Sequence, residues 1–542
     1  MIYCTRFFRF AKRKAFRLYD FRYEIASGLA LSLSFTCSHL YARSLLVEEK
    51  ANIQENPSTS FSMKHESQVD ILDRECIELS MFAVPFRCIQ IVAIFLPVII
   101  LFPVHRLASW IFHGQTWWHS LLVTSLKQSG PMFIKLGQWI STRPDILSPE
   151  TCKAFSTLQA NSAVHPYAES MKLIEIDCPG LLTDIEEINP VPIGVGAVAQ
   201  VYRAKIKRSG DQIAIKILHP SIAKQIYVDL QIVRYIGKLL ISIPFLKISS
   251  FNVNDELELF SNIMMAQTDL RLEARNMRKF ADNFKDINFV KIPKIFSIGS
   301  SRILVESYED GILLGDFMAH GKSPFHEKIA AIGFDSFLRM AMVDNFLHAD
   351  MHPGNILLQF RKYTGNAVSH DRLSKEINDR LENPKSREEF ITVTDEVYKL
   401  GYSPQIVLLD GGIVTSLSLE NLKNVKDCFS AGFRLDAARL SSLLISRSRY
   451  PELVVGRNEI ENKLSSLFQI IEIDKEGRLP ISKIFASEIV KNFAGLTREH
   501  RISLDGDFCG LFIASIIVEG IGKSLDSNLD LLETLGVYLS ID

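Results

Sequence analysis

Residues 348–355 read His348-Ala349-Asp350-Met351-His352-Pro353-Gly354-Asn355, and further along an apolar run, Ile406-Val407-Leu408-Leu409, ends in Asp410-Gly411-Gly412. An H-x-D-x-x-x-x-N string ahead of an apolar strand that ends in Asp builds a metal–phosphate site. In such a site the first carboxylate, here Asp350, lies close to the phosphoryl acceptor, and Asn355 and Asp410 each hold Mg²⁺. A lone Asp or Asn in a loop is ordinarily a turn residue or a helix cap. These residue types at matching spacing, with the downstream Asp on an apolar run, point instead to a nucleotide site.

The upstream parts come in the right order. Gly194-Val195-Gly196-Ala197-Val198-Ala199-Gln200-Val201 fits G-x-G-x-x-G-x-V, except that Ala199 stands where the third Gly belongs. A glycine-bearing hairpin lets backbone N–H groups approach phosphate oxygens that a Cβ would obstruct. Gly194, Gly196, Ala197 and Val201 are therefore candidate nucleotide contacts, although a Gly-rich strand turn alone explains the same residues. Ile213-Ala214-Ile215-Lys216 follows, reading V-A-I-K with Ile for Val. A Lys at the end of an apolar strand is costly to bury unless paired. Glu273, in the helical run Asp269-Leu270-Arg271-Leu272-Glu273-Ala274-Arg275-Asn276, is the expected partner. In isolation it reads as an exposed helix carboxylate; order and distance favour an ion pair that sets Lys216 on the α- and β-phosphates. Glu306-Ser307-Tyr308-Glu309-Asp310-Gly311, after Ile303-Leu304-Val305, reads as a hinge between two lobes, with adenine beside Glu306 and Tyr308.

Several parts of an ordinary protein kinase are missing. Ala349 replaces the Arg of H-R-D, so a phosphorylated activation loop has no Arg to pair with there. Asp410-Gly411-Gly412 lacks the Phe of D-F-G, no A-P-E string follows, and His352 stands where protein kinases commonly carry Lys. Phosphoryl transfer to a small molecule, or ATP hydrolysis, stays open.

About sixty residues before the glycine loop lies Phe133-Ile134-Lys135-Leu136-Gly137-Gln138-Trp139-Ile140-Ser141-Thr142-Arg143-Pro144-Asp145. With this K-x-G-Q element the chain resembles the UbiB/aarF-domain family of atypical kinases, from roughly residue 120 to the C-terminus. That family joins K-x-G-Q to an Ala-rich loop, an E-x-D and a string of the form H-A-D-x-H-P-G-N. Pro192-Ile193-Gly194 through Gln200-Val201-Tyr202-Arg203-Ala204 matches the Ala-rich loop, with two Gly where Ala is usual. The main departure is Gln267-Thr268-Asp269 in place of E-x-D. In the family the K-x-G-Q lysine faces that first Glu, and the K-x-G-Q helices cover the region where a peptide would dock. The resemblance thus assigns a gating set of Lys135, Gln138, Gln267 and Asp269, in which Lys135 meets a neutral amide rather than a carboxylate. Such a Gln is similar to the mitochondrial branch that includes the second aarF-domain kinase type of animals.

The resemblance implies an α+β, atypical protein-kinase-like two-lobed fold with a helical K-x-G-Q extension at its N-terminal side, and ATP and Mg²⁺ as cofactors. It further implies a role in ubiquinone biosynthesis or mitochondrial lipid metabolism, with enzymes of those processes as partners. Two alternatives stand beside an active kinase or ATPase. One is a nucleotide-binding pseudokinase scaffold for a lipid-enzyme complex, encouraged by Ala199, Gly412 and Gln267. The other is a small-molecule phosphotransferase, which shares H-x-D-x-x-x-x-N but leaves K-x-G-Q unexplained.

Composition agrees with a folded chain. Its 542 residues exceed one ordinary domain, and 47% hydrophobic content supplies substantial cores. A formal net charge of −1 gives no case for nucleic-acid binding. The eight Cys are scattered without a C-x-x-C pair, which suggests neither a disulfide framework nor zinc.

Residues 1–25 hold seven Lys or Arg against Asp20 and Glu24. On a helix, Arg6, Arg9, Arg13 and Arg17 fall on one side and Phe7, Phe8, Ala11, Ala15 and Leu18 on the other, as in a mitochondrial presequence. Residues 1–45 are read as that targeting segment and 46–85 as a linker. The uncharged run of seventeen residues from Cys88 to Val104 favours a transmembrane or membrane-associated helix at 86–106, against a buried or interfacial helix of the lobe. Together these imply a mitochondrial inner-membrane protein in contact with membrane lipid. Residues 107–190 form the K-x-G-Q extension, with Ser148-Pro149-Glu150 opening one helix. Residues 191–310 form the smaller lobe and 311–542 the larger, interrupted by a polar insertion at 361–404. The expectation for that insertion is a disordered or loosely helical surface excursion. Ser515 through Lys523 resembles a C-terminal helix of the family.

Overall fold

The protein is described by a computed structural model covering residues 66–469, apart from 112–116, 142–148, 156, 159–163, 242–252, 365–366, 370–371, 383, 385 and 449, together with scattered positions between 495 and 538. The targeting segment, the first part of the linker, Ser148 and most of the Ser515–Lys523 segment lie outside the described residues. Two compact units result: residues 1–164, 195–198 and 219–268, and residues 165–194, 199–218 and 269–542.

The first unit is helical. Its longest element, Glu66–Ile111, begins inside the segment expected to be a linker. No Gly or Pro occurs between Glu66 and Val84, so nothing there breaks a helix. Pro85, Pro97 and Pro103 lie within it. Ile91, Phe95, Val98, Phe102 and His105 are buried on one face, a helical repeat. They pack on the helix Trp117–Ser129. There the Phe102 and Trp118 rings lie 5.1 Å apart, and the Trp118 indole N–H donates to Val98 O at 2.9 Å. At the start of that face the Arg87 guanidinium pairs with Asp229 at 2.7 Å, on the helix Ile222–Ile241. The opposite face, Phe86, Ile89, Leu96, Ile100, Val104 and Leu107, is apolar and exposed. Val84–His105 is long and apolar enough to cross a membrane, with a mean hydropathy of 2.4.

In the second unit a six-stranded sheet carries, side by side and antiparallel, Ile185–Ile188, Ala199–Ile206, Gln212–Leu218, Ile303–Ser307 and Ile295–Ser300. Side chains alternate across a strand. Ile213, Ile215 and Ile217 are fully buried on one face, against Tyr202, Ile303, Val305 and the helix Tyr167–Asp177. Ala214 and Lys216 are thereby turned to the other face.

The larger lobe is built on a second sheet, Ala367–Ser369, Ile356–Thr364, Ser403–Leu408 and Val290–Lys291, with Ile312–Leu313 also pairing with Ile356–Thr364. Its core holds Phe280, Phe317, Phe325, Phe360 and Phe390. This is the two-lobed α+β arrangement that the motifs predict.

The insertion at 361–404 is not a loose excursion. The strand Ile356–Thr364 runs into it, and two helices, Arg372–Glu382 and Arg387–Lys399, follow. Ile377 and Leu381, then Phe390, Val393 and Val397, are buried in the main core. Their i, i+4 and i, i+3, i+7 spacing gives each helix one apolar face, and Ser386 caps the second by accepting from the Glu389 N–H. The charged residues along this segment are mostly on the outer faces of packed helices, while Ser374, Asn378 and Thr394 are buried.

Candidate active site

Lys216 lies in the centre of the first sheet, opposite Leu304 on one side and Val201 on the other. Its Nζ donates to Glu273 Oε1 at 2.5 Å and to Asp410 Oδ1 at 3.3 Å. The structure therefore brings together three residues that are far apart in sequence. Glu273 rides on the helix Leu270–Asn283, whose first turn is capped by Asp269 accepting from the Arg271 N–H at 3.0 Å. That helix is docked on the segment after Asp410: the Asn276 side-chain amide donates to Gly411 O at 2.7 Å. A Cβ at Gly411 would lie 2.9 Å from Met277 Sδ and 3.4 Å from Met277 N. A larger residue at Gly411 would have to displace the Met277 side chain, so glycine here suits the close docking of that helix.

The electrostatics are unbalanced. One ammonium faces Glu273, Asp410 and, two residues along the neighbouring strand, Glu306. Burial alone would lower the Lys216 pKa, but the three carboxylates outweigh it and hold the ammonium well above its ordinary range. Burial would raise Asp410, yet Lys216 and His348 hold it well below the usual carboxylate range. Burial, reinforced by Asp410, pushes Glu273 up to about 8 against the pull of Lys216. Burial likewise pushes Glu306 up to about 7.

The loop that carries Asp350 is held from both sides. The helix His326–Leu338 runs into a π-helical turn, Arg339–Val343, a form often found at functional sites. Asn345 follows with a left-handed φ of 45°. Its side chain both donates to Leu417 O and accepts from the Leu417 N–H, which ties the loop to the segment after Asp410. His348 is buried and pairs with Val414. It receives the Asp350 N–H on Nδ1 at 3.0 Å. The Asn355 amide donates to Asp350 O at 3.1 Å, and the Leu409 N–H donates to Asn355 O at 3.0 Å. The register Ile356↔Leu408 continues that pairing, so Asn355 and Asp410 stand at adjacent strand ends with Asp350 beside them.

Among the described residues no group of three or more His, Cys, Asp or Glu forms a metal nest. The donor set Asn355 and Asp410 nevertheless suits Mg²⁺, which is held by one or two protein oxygens together with substrate phosphates. The surplus of carboxylate around Lys216 fits a cation as well.

The remaining expected nucleotide contacts divide. Val201 shares the Lys216 face by register. Gly194 has no neighbour within 4 Å of an added Cβ, so the fold itself does not demand glycine there. Gly196 and Ala197 belong to the first unit, where Gly196 O contacts His219 Nε2 at 3.0 Å. At the hinge, Glu306 is buried facing the site, and the Tyr308 ring carries the Arg203 guanidinium at 4.2 Å. Sequence reading missed the network next to them. Lys291 and Gln359 contact Glu309, while Gln359, Arg361 and Asn378 all donate to Asp310. A signal is present in the sequence: Gln359 and Arg361 alternate as polar positions on either side of the buried Phe360.

The K-x-G-Q residues lie in the first unit on the helix Pro131–Ser141. Gly137 is required by packing, because a Cβ would come within 2.3 Å of Leu158 Cδ1. Gln138 donates to Leu158 O at 2.8 Å, so two motif residues staple one segment. Lys135 is half-buried. Gln267 Oε1 is buried with no hydrogen-bond partner. Asp269, in the second unit, is a helix cap and pairs with its neighbour Arg271 at 2.6 Å.

Comparison with known proteins gives the same picture. A model of the ABC1 atypical kinase-like domain matches residues 158–444. A mitochondrial ABC1 family protein of Schizosaccharomyces pombe is 32% identical over 501 residues, which cover 84% of this chain and 71% of the relative. One from Saccharomyces cerevisiae, also mitochondrial, is 31% identical, covering 83% and 73%. A probable protein kinase UbiB of Shewanella baltica is 25% identical, covering 77% and 68%. With this domain match over more than half of its length and two relatives above 30% identity, the chain belongs to the ABC1 atypical kinase-like family.

Proposed function

We propose that the protein is an ATP- and Mg²⁺-dependent atypical kinase or ATPase of the mitochondrial inner membrane, serving ubiquinone biosynthesis or mitochondrial lipid metabolism. The observation that carries the reading is Lys216 clamped between Glu273 and Asp410. Glu273 fixes the lysine, whose ammonium orients the α- and β-phosphates. Asp410 and Asn355 would hold Mg²⁺, which would neutralise phosphate charge there. The Asp350 carboxylate positions the acceptor hydroxyl or water and takes up its proton. Lys135, Gln138, Gln267 and Asp269 keep the gating role that the family resemblance assigns to them.

The membrane part of the proposal rests on the exposed apolar face of Glu66–Ile111 and on the mitochondrial relatives. With protein packed on one face and apolar side chains on the other, that helix suits contact with lipid hydrocarbon. The experiment is a titration of the full chain with ATP, with and without Mg²⁺, beside Asp410→Asn. The variant is expected to lose the Mg²⁺-dependent part of binding; unchanged Mg²⁺ dependence removes the metal assignment. ATP turnover measured with lipid vesicles then separates an enzyme from a nucleotide-gated scaffold.

A further inference from the structure

Glu306 has a feature that its neighbours at the hinge lack. It is 6% exposed, and its Oε2 has no hydrogen-bond partner. A buried acceptor left without a donor is costly, so a position that keeps one is expected to have it satisfied by something other than the chain.

Register fixes which way this carboxylate points. Lys216 lies opposite Leu304 and Ala214 opposite Glu306. Residues two apart share a face, so Glu306 stands on the lysine's side of the sheet, about 7 Å further along the strand. That displacement runs away from the phosphate end and toward the hinge at Ser307–Gly311. Ala214, the cross-strand neighbour, has only a methyl group, which keeps the sheet surface beside the carboxylate low enough for a flat ring. The first hinge amides are already committed: Ser307 N–H donates to Lys294 O, and Tyr308 N–H to Gln212 O. Glu309 is committed as well, to Lys291, Ser307 and Gln359.

We infer that Glu306 selects the base, its carboxylate accepting a hydrogen bond from the exocyclic 6-amino group of a purine nucleotide, so that amino-purines are preferred over 6-oxo-purines. This rests on the nucleotide reading of the site and adds to it the side chain that reads the base. Guanine or hypoxanthine would set a 6-oxo acceptor against a carboxylate acceptor.

The test compares three triphosphates on the full chain with Mg²⁺ at pH 8, where the Glu306 carboxyl has released its proton: ATP, purine riboside triphosphate, which lacks the 6-amino group, and inosine triphosphate. The unsubstituted chain is expected to bind ATP about tenfold more tightly than purine riboside triphosphate, the ratio of one hydrogen bond to a buried acceptor. Glu306→Leu should level the two. Glu306→Gln, whose amide can donate to a 6-oxo group, should shift the ATP-to-inosine ratio toward inosine triphosphate; if the Leu variant does not fold, this shift decides. Equal binding of ATP and purine riboside triphosphate by the unsubstituted chain, or a preference that survives the substitutions, overturns the inference and leaves Glu306 a structural acid. If the unsubstituted chain unfolds cooperatively yet binds no nucleotide, the nucleotide reading itself fails, and this inference with it.

Discussion

Two clusters of buried acids sit in the second unit and are built on opposite plans. At the hinge, Glu309 and Asp310 face Lys291 and Arg361, and the amides of Gln359 and Asn378 add donors. Charge is matched, and both acids are hydrogen-bonded, although Arg361 Nε is itself buried without a partner. Around Lys216, a single ammonium faces Glu273, Asp410 and Glu306, and one oxygen of Glu306 is left without a donor. Buried charge that a chain neutralises by itself holds structure together; buried charge left in surplus is costly unless a cation or ligand completes it. The difference separates a rigid support from a binding site.

Removing the only cation of the unbalanced cluster should have the largest effect. Lys216→Ala is expected to abolish Mg²⁺-ATP binding and to lower unfolding stability by about 2–3 kcal/mol. That is below the value for a fully enclosed pair, because the Lys216 and Asp410 side chains are 18% and 22% exposed. Calorimetry and denaturant unfolding read the two effects, and stability unchanged within about 0.5 kcal/mol would mean the three acids do not act on one cation.

Arg361→Ala strikes the balanced cluster. It should cost about 2 kcal/mol of stability while leaving ATP affinity within about twofold, since the loss falls on structure. A much larger drop in affinity would erase the contrast between support and site.

The smallest effect is in pH dependence. The Glu306 carboxyl is pushed up to about 7 by burial, with Asp410 and Glu309 adding to the shift and Lys216 opposing it, against an ordinary 4.5. Between those values the folded state holds a proton that the unfolded state has released. Stability of the nucleotide-free protein therefore falls as pH rises across that window, by about 1–3 kcal/mol from this group, and Glu273, pushed up to about 8, adds a fall of the same sign that continues to its own pKa. Thermal unfolding at the two ends of the window should show the fall, and Glu306→Gln should make it shallower. A slope equally steep in the variant would assign the proton to another group.

Much of the site could be read from residue order. Lys216, Glu273, Asp350, Asn355 and Asp410 are recognisable because phosphate and metal chemistry demands particular side chains, and strand or loop geometry fixes their spacing. The insertion was misread because its outward faces are charged. Its Ser386-x-x-Glu389 start and the spacing of Phe390, Val393 and Val397 were present in the sequence. The K-x-G-Q glycine is a different case. Its need for close packing depends on Leu158, whose arrival at Gly137 no local pattern announces.

Residue order and periodicity alone were enough to read the succession of site residues and the apolar helix, because those depend on side-chain type and spacing; the two-lobed fold came from the family resemblance. It took the packed structure to show that one lysine answers to three acids, that the Met277 side chain lies against Gly411, and that Glu306 keeps an unpartnered oxygen. Each of those facts depends on which strands pair and which helix docks, and so on distances between residues far apart in the chain.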